Sequence, residues 1–101
     1  MGSLKDVVHE AMSGYAVKGL NGYSELTMNA EQSLFTIVST AIVKGKRTTT
    51  TSLIARVDNN QVFIDRDINN KPLIDALVQL GVPRTQIVLT NADEPVPETH
   101  K

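Results

Sequence analysis

Apolar and polar residues along this chain fall into two rhythms. Leu4, Val7, Val8, Ala11 and Met12 recur at helical spacing, which puts them in one stripe on one helix face. Ser3, three residues before Asp6, offers a capping box at the start. Ser13-Gly14 and Gly19 place the end between Gly14 and Gly19, so the spacing predicts a helix over roughly Leu4 to Tyr15. Gly19-Leu20-Asn21-Gly22 reads as a loop, and from Tyr23 the period changes to two. Tyr23, Glu25 and Thr27 alternate with Leu26 and Met28 in a short strand. Ser33 to Lys44 is dense in β-branched residues, and neither of its alternating sets is clearly polar. It therefore predicts a strand inside a sheet, with even its more exposed face partly covered. Gly45-Lys46 supplies a hairpin turn, and Thr48 to Asp58 is the return strand, with Leu53, Ala55 and Val57 pointing one way. Asp58-Asn59-Asn60-Gln61 predicts a second tight turn, because Asn accepts the left-handed backbone of a type I′ hairpin. Gln61 to Arg66 then completes a three-strand meander.

Helical spacing returns after Asn69. Asn69 or Asn70 is expected to cap a second helix with Pro72 in its first turn. Leu73, Ile74, Leu77, Val78 and Leu80 form a wide apolar face that needs a sheet to lie on. Gly81 supplies a left-handed stop, Pro83 forbids continuation, and Ile87-Val88-Leu89 is a last short strand. The expectation is a single α+β domain over residues 1–92. Its sheet is an antiparallel meander of four to five strands, counting Tyr23 to Met28, with an N-terminal helix and the amphipathic second helix packed on it. Residues 93–101, with Pro95 and Pro97 among polar neighbours, read as a flexible tail.

Composition narrows the function classes. A chain of 101 residues holds one core. A net charge of −1 and a pI of about 6.1 give no global reason to bind nucleic acid. Cysteine is absent, so thiolate chemistry and disulfides are excluded. The longest apolar-leaning run, Leu34 to Val43, is half the roughly 20 residues that span a bilayer as a helix. The N-terminus has no secretory apolar region. A cytoplasmic protein without membrane insertion is expected. His9 and His100 lie at opposite ends of the sequence, and neither a G-x-S-x-G elbow nor a glycine-rich phosphate loop is present. Asp65-Arg66-Asp67-Ile68-Asn69 opens like a calcium loop, but Asn70 and Ala76 stand where such a loop needs Gly and Glu. No catalytic residue, metal ligand or cofactor is assigned, and the protein is expected not to be an enzyme.

Two neighbouring features carry what chemistry there is. Lys44-Gly45-Lys46-Arg47 places three of the ten basic residues on one hairpin tip. Solvated turn charge is the ordinary reading, and a phosphate-contacting tip is the alternative, although the stacking aromatics of single-strand readers are missing beside it. Thr48 to Thr51 is either a plain exposed strand or an edge that pairs with another chain. The candidate partner-binding residues are Lys44, Lys46, Arg47, Thr49 and Thr51.

Two segments, Asp58-Asn59-Asn60-Gln61-Val62-Phe63-Ile64 and Leu77-Val78-Gln79-Leu80-Gly81-Val82-Pro83-Arg84-Thr85-Gln86-Ile87-Val88-Leu89, resemble the XisI family, the cyanobacterial fdxN-element excision controlling factors. The family pattern is a turn and strand followed by L-x-x-L-G-V-P-x-x-x-I-V-L, and the likeness extends through the hairpin from Leu34 to Val57. Relatives carry aromatics in that hairpin and in the tail, where this chain has Ser39-Thr40-Ala41, Thr48 to Thr51 and Pro95-Val96-Pro97-Glu98. The resemblance implies a non-catalytic accessory acting by protein contact beside a recombinase and a companion factor, XisH, in excision of a DNA element during heterocyst development. It brings no catalytic residues. A small structural or linker subunit of a larger cyanobacterial assembly, self-association of the chain, and direct nucleic-acid binding through the hairpin tip are the other readings.

Overall fold

The computed structural model describes residues 3–90. Helix α1 (Leu4–Ser13) opens with the expected capping box: Asp6 N–H donates to Ser3 Oγ and Ser3 N–H to Asp6 Oδ2, both at 3.2 Å. It stops at Gly14, two residues short of the sequence estimate. Tyr15 instead turns off and donates its hydroxyl to Lys71 O at 2.7 Å.

Six strands follow: β1 (Lys18–Gly19), β2 (Gly22–Met28), β3 (Leu34–Val43), β4 (Lys46–Asp58), β5 (Gln61–Asp67) and β6 (Ile87–Leu89). They lie side by side in sequence order in one sheet. The first five form an antiparallel meander, and β6 joins β5 in parallel. A parallel neighbour needs a crossover, and helix α2 (Leu73–Gln79) with a short 3₁₀ turn (Arg84–Gln86) provides it. The strand count exceeds the expected four to five because Lys18 and Gly19, read as part of a connection, pair with Tyr23 and Gly22. The β3–β4 turn is Lys44-Gly45 rather than Gly45-Lys46, with φ of 54° and 77°, the left-handed pair a two-residue I′ turn requires. Asn59 and Asn60, at 52° and 62°, repeat the solution between β4 and β5.

Both helices cover one face of the sheet. Val8, Ala11 and Met12 of α1 and Leu73 and Leu77 of α2 close over Phe35, Ile37, Leu53, Ala55, Val62, Ile64 and Ile87. Only Leu73 and Leu77 of the five predicted apolar α2 positions are buried by this packing. Val78 and Leu80 stay about two-fifths exposed, because a seven-residue helix turns little of its surface inward. The expected Asn69 or Asn70 cap is corrected. Pro72 occupies the cap position and makes no side-chain cap bond. Asp67 reaches across from the end of β5, its Oδ2 accepting from Leu73 N–H at 2.7 Å. Its Oδ1 accepts from Asn69 N–H at 3.1 Å and Asn69 Nδ2 at 2.9 Å, and Asn69 Nδ2 also reaches Ser52 O. Gly81 takes the left-handed stop at φ 100°. The tail assigned to residues 93–101 lies outside the described residues, as does His100.

Candidate functional site

The longest strand, β4, runs thirteen residues, yet β5 pairs only with Leu53 to Asp58 of it. The remainder, Lys46 to Thr51, pairs on its other side with β3 and projects with it as a two-stranded ribbon. Two irregularities mark the base of that ribbon. The β3–β4 register skips Ser52, and the β4–β5 register skips Asp65, each an extra residue that bends a strand and sharpens its twist. Buried Ser52 is held by Ser39 Oγ at 3.0 Å, and Ser39 by Ser24 Oγ at 2.8 Å, a hydroxyl chain linking β4, β3 and β2. Thr40 and Thr49 share a further hydroxyl contact at 3.3 Å.

Residues 41–50 are all exposed. Ile42 and Val43 keep 40% and 60% of their surface in water, and Val17 and Leu20 beside the ribbon keep 58% and 100%. An open concavity of about 380 Å³ lies on the helix side of this end, beyond the reach of α1, with Val17, Lys18, Ala41, Thr48 and Thr50 among its walls. Gly22 is required where β2 meets the ribbon: a Cβ there would lie 2.4 Å from Thr40 O.

Of the candidate residues, Lys44, Lys46, Arg47 and Thr49 come together on the projecting part. Thr51 is half-buried and its carbonyl accepts from Arg66 Nε at 2.7 Å, so it belongs to the ribbon's base. Lys18, not singled out from sequence, joins this end through the row Lys18, Tyr23, Thr40, Thr49 across four strands. Its sequence signal was slight: Gly19 and Gly22 flank the two-residue return and pair across it.

A second cluster was not foreseen. Arg56 of β4 forks onto Asp65, Nε to Oδ2 at 2.6 Å and Nη2 to Oδ1 at 3.1 Å, while its guanidinium lies 5.0 Å from the centre of the Phe63 ring. Thr90 Oγ1 also contacts Asp65 Oδ1, and Thr90 N–H donates to Ile64 O at 2.9 Å. Hydrogen bonding from Arg56, with Thr90 adding to it, holds the Asp65 carboxyl below its ordinary range against the opposing effect of burial. The same bond raises Arg56. Around the corner, a hollow of about 310 Å³ opens at the carboxyl end of the parallel β5–β6 pair, with Asp65, Asp67, Asn69, Ile74 and Leu89 in its wall. Ends of parallel strands are where α/β sheets place ligands, but here the polar groups bond one another. Asp65 serves Arg56 and Thr90, and Asp67 serves Leu73 and Asn69. Among the described residues no three His, Asp or Glu side chains converge to hold a metal ion, and no helix is long and apolar enough to cross a membrane.

The family model described as XisI protein matches residues 3–99. No curated protein matches the chain by sequence. Among solved structures, a XisI-like protein from Anabaena variabilis ATCC 29413 superposes with a TM-score of 0.72 at 18% identity, covering 85% of this chain and 82% of that one. The fdxN element excision controlling factor XisI from the same organism superposes with a TM-score of 0.65 at 16% identity, covering 96% and 94%. At such identities the likeness is one of fold.

Proposed function

From the premise that this chain belongs to the XisI family, we propose that it is a non-catalytic cytoplasmic accessory protein that works by protein–protein contact. Its role on this reading is that of a controlling factor in excision of a DNA element, the role by which its structural relative from Anabaena variabilis is known. Its partner is an XisH-like companion. One observation supports the reading above the rest: the projecting β3–β4 ribbon leaves apolar side chains and a strand edge uncovered. The acidic groups, by contrast, engage their own neighbours in the hollow beside β6. Surface of the first kind suits docking, and a hollow so arranged suits rigidity.

Co-expression of the full chain with an XisH-like companion and the recombinase tests this. The chain and companion should co-elute in a complex larger than either alone, and excision of a reporter element should fall when the chain is omitted. Separate elution together with undiminished excision overturns the reading.

A further inference from the structure

We propose that the overhanging edge of β4, Lys46 to Thr50, accepts an extended acidic segment of a partner protein as an added antiparallel or parallel strand. The inference rests on the protein-contact reading above and specifies the surface and the chemistry it takes.

The geometry of the edge follows from the hairpin. A two-residue turn makes Val43 and Lys46 a hydrogen-bonded pair. Alternation then turns the main-chain groups of Lys46, Thr48 and Thr50 toward β3 and those of Arg47, Thr49 and Thr51 away from it. Arg66 Nε, reaching Thr51 O from the β5 side, has the parity this requires. Ile68 N–H and Asn69 Nδ2 both end on Ser52 O, and nearer the tip no described strand pairs with β4 on this side. Arg47 and Thr49 thus present two N–H and two C=O groups to solvent along five residues, about 17 Å of edge. A run of threonines is already suited to the extended state, so pairing requires little ordering of this chain.

Charge selects the occupant. Between Glu31 and Asp58 the sequence holds Lys44, Lys46, Arg47 and Arg56 and no acidic residue. Lys18 adds to the same end, and the nearest acids by register are Glu25, on β2 opposite Val38, and Asp67, at the end of β5 opposite Leu53, which already accepts from Leu73 and Asn69. An acidic strand laid on this edge meets Lys46 and Arg47 directly. A second copy would bring its own Lys44, Lys46 and Arg47 against them, and like charges across a pair oppose association. A basic edge of this kind resists pairing with itself while remaining open to an anionic strand.

The test uses the full chain and a blocked peptide of alternating glutamate and valine, about eight residues long. Heteronuclear NMR follows amide exchange at Arg47 and Thr49. The peptide should slow both amides and leave Leu53 and Ala55 unchanged. Its lysine-for-glutamate counterpart, and the same peptide N-methylated at its pairing amides, should bind at least about tenfold more weakly. Thr49→Pro removes one outward donor without touching the β3 ladder, and Lys46→Glu with Arg47→Glu reverses the charge. Each should weaken binding at least about tenfold while the dispersion of core methyl resonances stays native. Equal binding of the lysine peptide, unaltered binding by Thr49→Pro, or no slowing of the two amides overturns the proposal. So does slowing that appears in the chain alone together with a doubling of its mass, which would assign the edge to a second copy. A companion complex that persists in Thr49→Pro sinks this inference and spares the functional reading. Peptide docking without a companion complex does the reverse.

Discussion

Replacing Asp67 by alanine should destabilise the protein more than replacing either of the asparagines that look like the helix cap. Among the described residues Asp67 is the one side chain that satisfies an N–H at the start of α2, through a 2.7 Å bond to Leu73. A charged acceptor on a backbone N–H contributes roughly 1.5–3 kcal/mol, and the half-buried setting keeps the estimate near the lower end, about 1.5 kcal/mol. Loss of the two bonds from Asn69 adds about 0.5–1 kcal/mol, since these tie a loop already held to Ser52 O. The sum is about 2–2.5 kcal/mol, against a total stability of roughly 5–15 kcal/mol for a domain of this size. It corresponds to a fall in Tm on the order of 10 °C. Asn69→Ala should cost about 1 kcal/mol and exposed Asn70→Ala less than about 0.5 kcal/mol. Urea titration of the three variants at pH 7, followed by circular dichroism, measures the order. If Asp67→Ala lies within about 0.5 kcal/mol of the parent, or Asn70→Ala exceeds it, the assignment of the cap is wrong.

Asp65, held below the ordinary carboxylate range by Arg56 and Thr90, contributes stability that is present above a pH of about 4 and is lost as the pH falls through its lowered folded value. Asp65→Asn should accordingly be less stable than the parent at pH 7, and urea titrations should converge toward pH 2. Tyr15 is pushed up to about 12, first by burial and then by the negative charges of Asp67 and Asp75. Its contribution is complete below a pH of about 10 and is lost as the pH rises toward 12. Ultraviolet titration should find a late-ionising tyrosine that Tyr15→Phe removes, with the alkaline fall in stability becoming shallower. Gly22→Ala drives a methyl group into Thr40 O, and should cost about 1–3 kcal/mol, loosening exchange protection in β2 and β3 before the rest.

How far the sequence could be read depended on the range of the interaction concerned. The stripe of α1, the β-branched density of β3 and the Asn59-Asn60 turn are local patterns, and the structure carries each of them. The cap of α2 was misplaced because the acceptor sits six residues upstream in a strand, where no capping rule looks. Lys18–Gly19 escaped notice because two residues have no period, and only the glycines around them hint at a return. The Arg56–Asp65 pair depends on a skipped residue in the β4–β5 register, which alternation alone does not reveal. The candidate ribbon was partly legible. The pattern predicts a return strand, Thr48 to Asp58, longer than its partner Gln61 to Arg66, and the excess length implies an edge without a neighbour. Which residues turn their main chain outward required the turn to be placed at Lys44-Gly45.

The crossover into β6 also sets a timetable. During translation β2 to β5 are complete once Asp67 has emerged, and hairpins form in roughly 1–10 μs. The 22 residues from Ile68 to Leu89 arrive afterwards, at roughly 5–20 residues per second, so Leu53, Val62 and Ile64 wait on the order of seconds for the helix that shelters them. For that interval the nascent meander has a sticky flank as well as an open margin. Ribosome-bound chains arrested with Asp67 outside the exit tunnel and Leu73 still within it should therefore be the ones that chaperones hold longest.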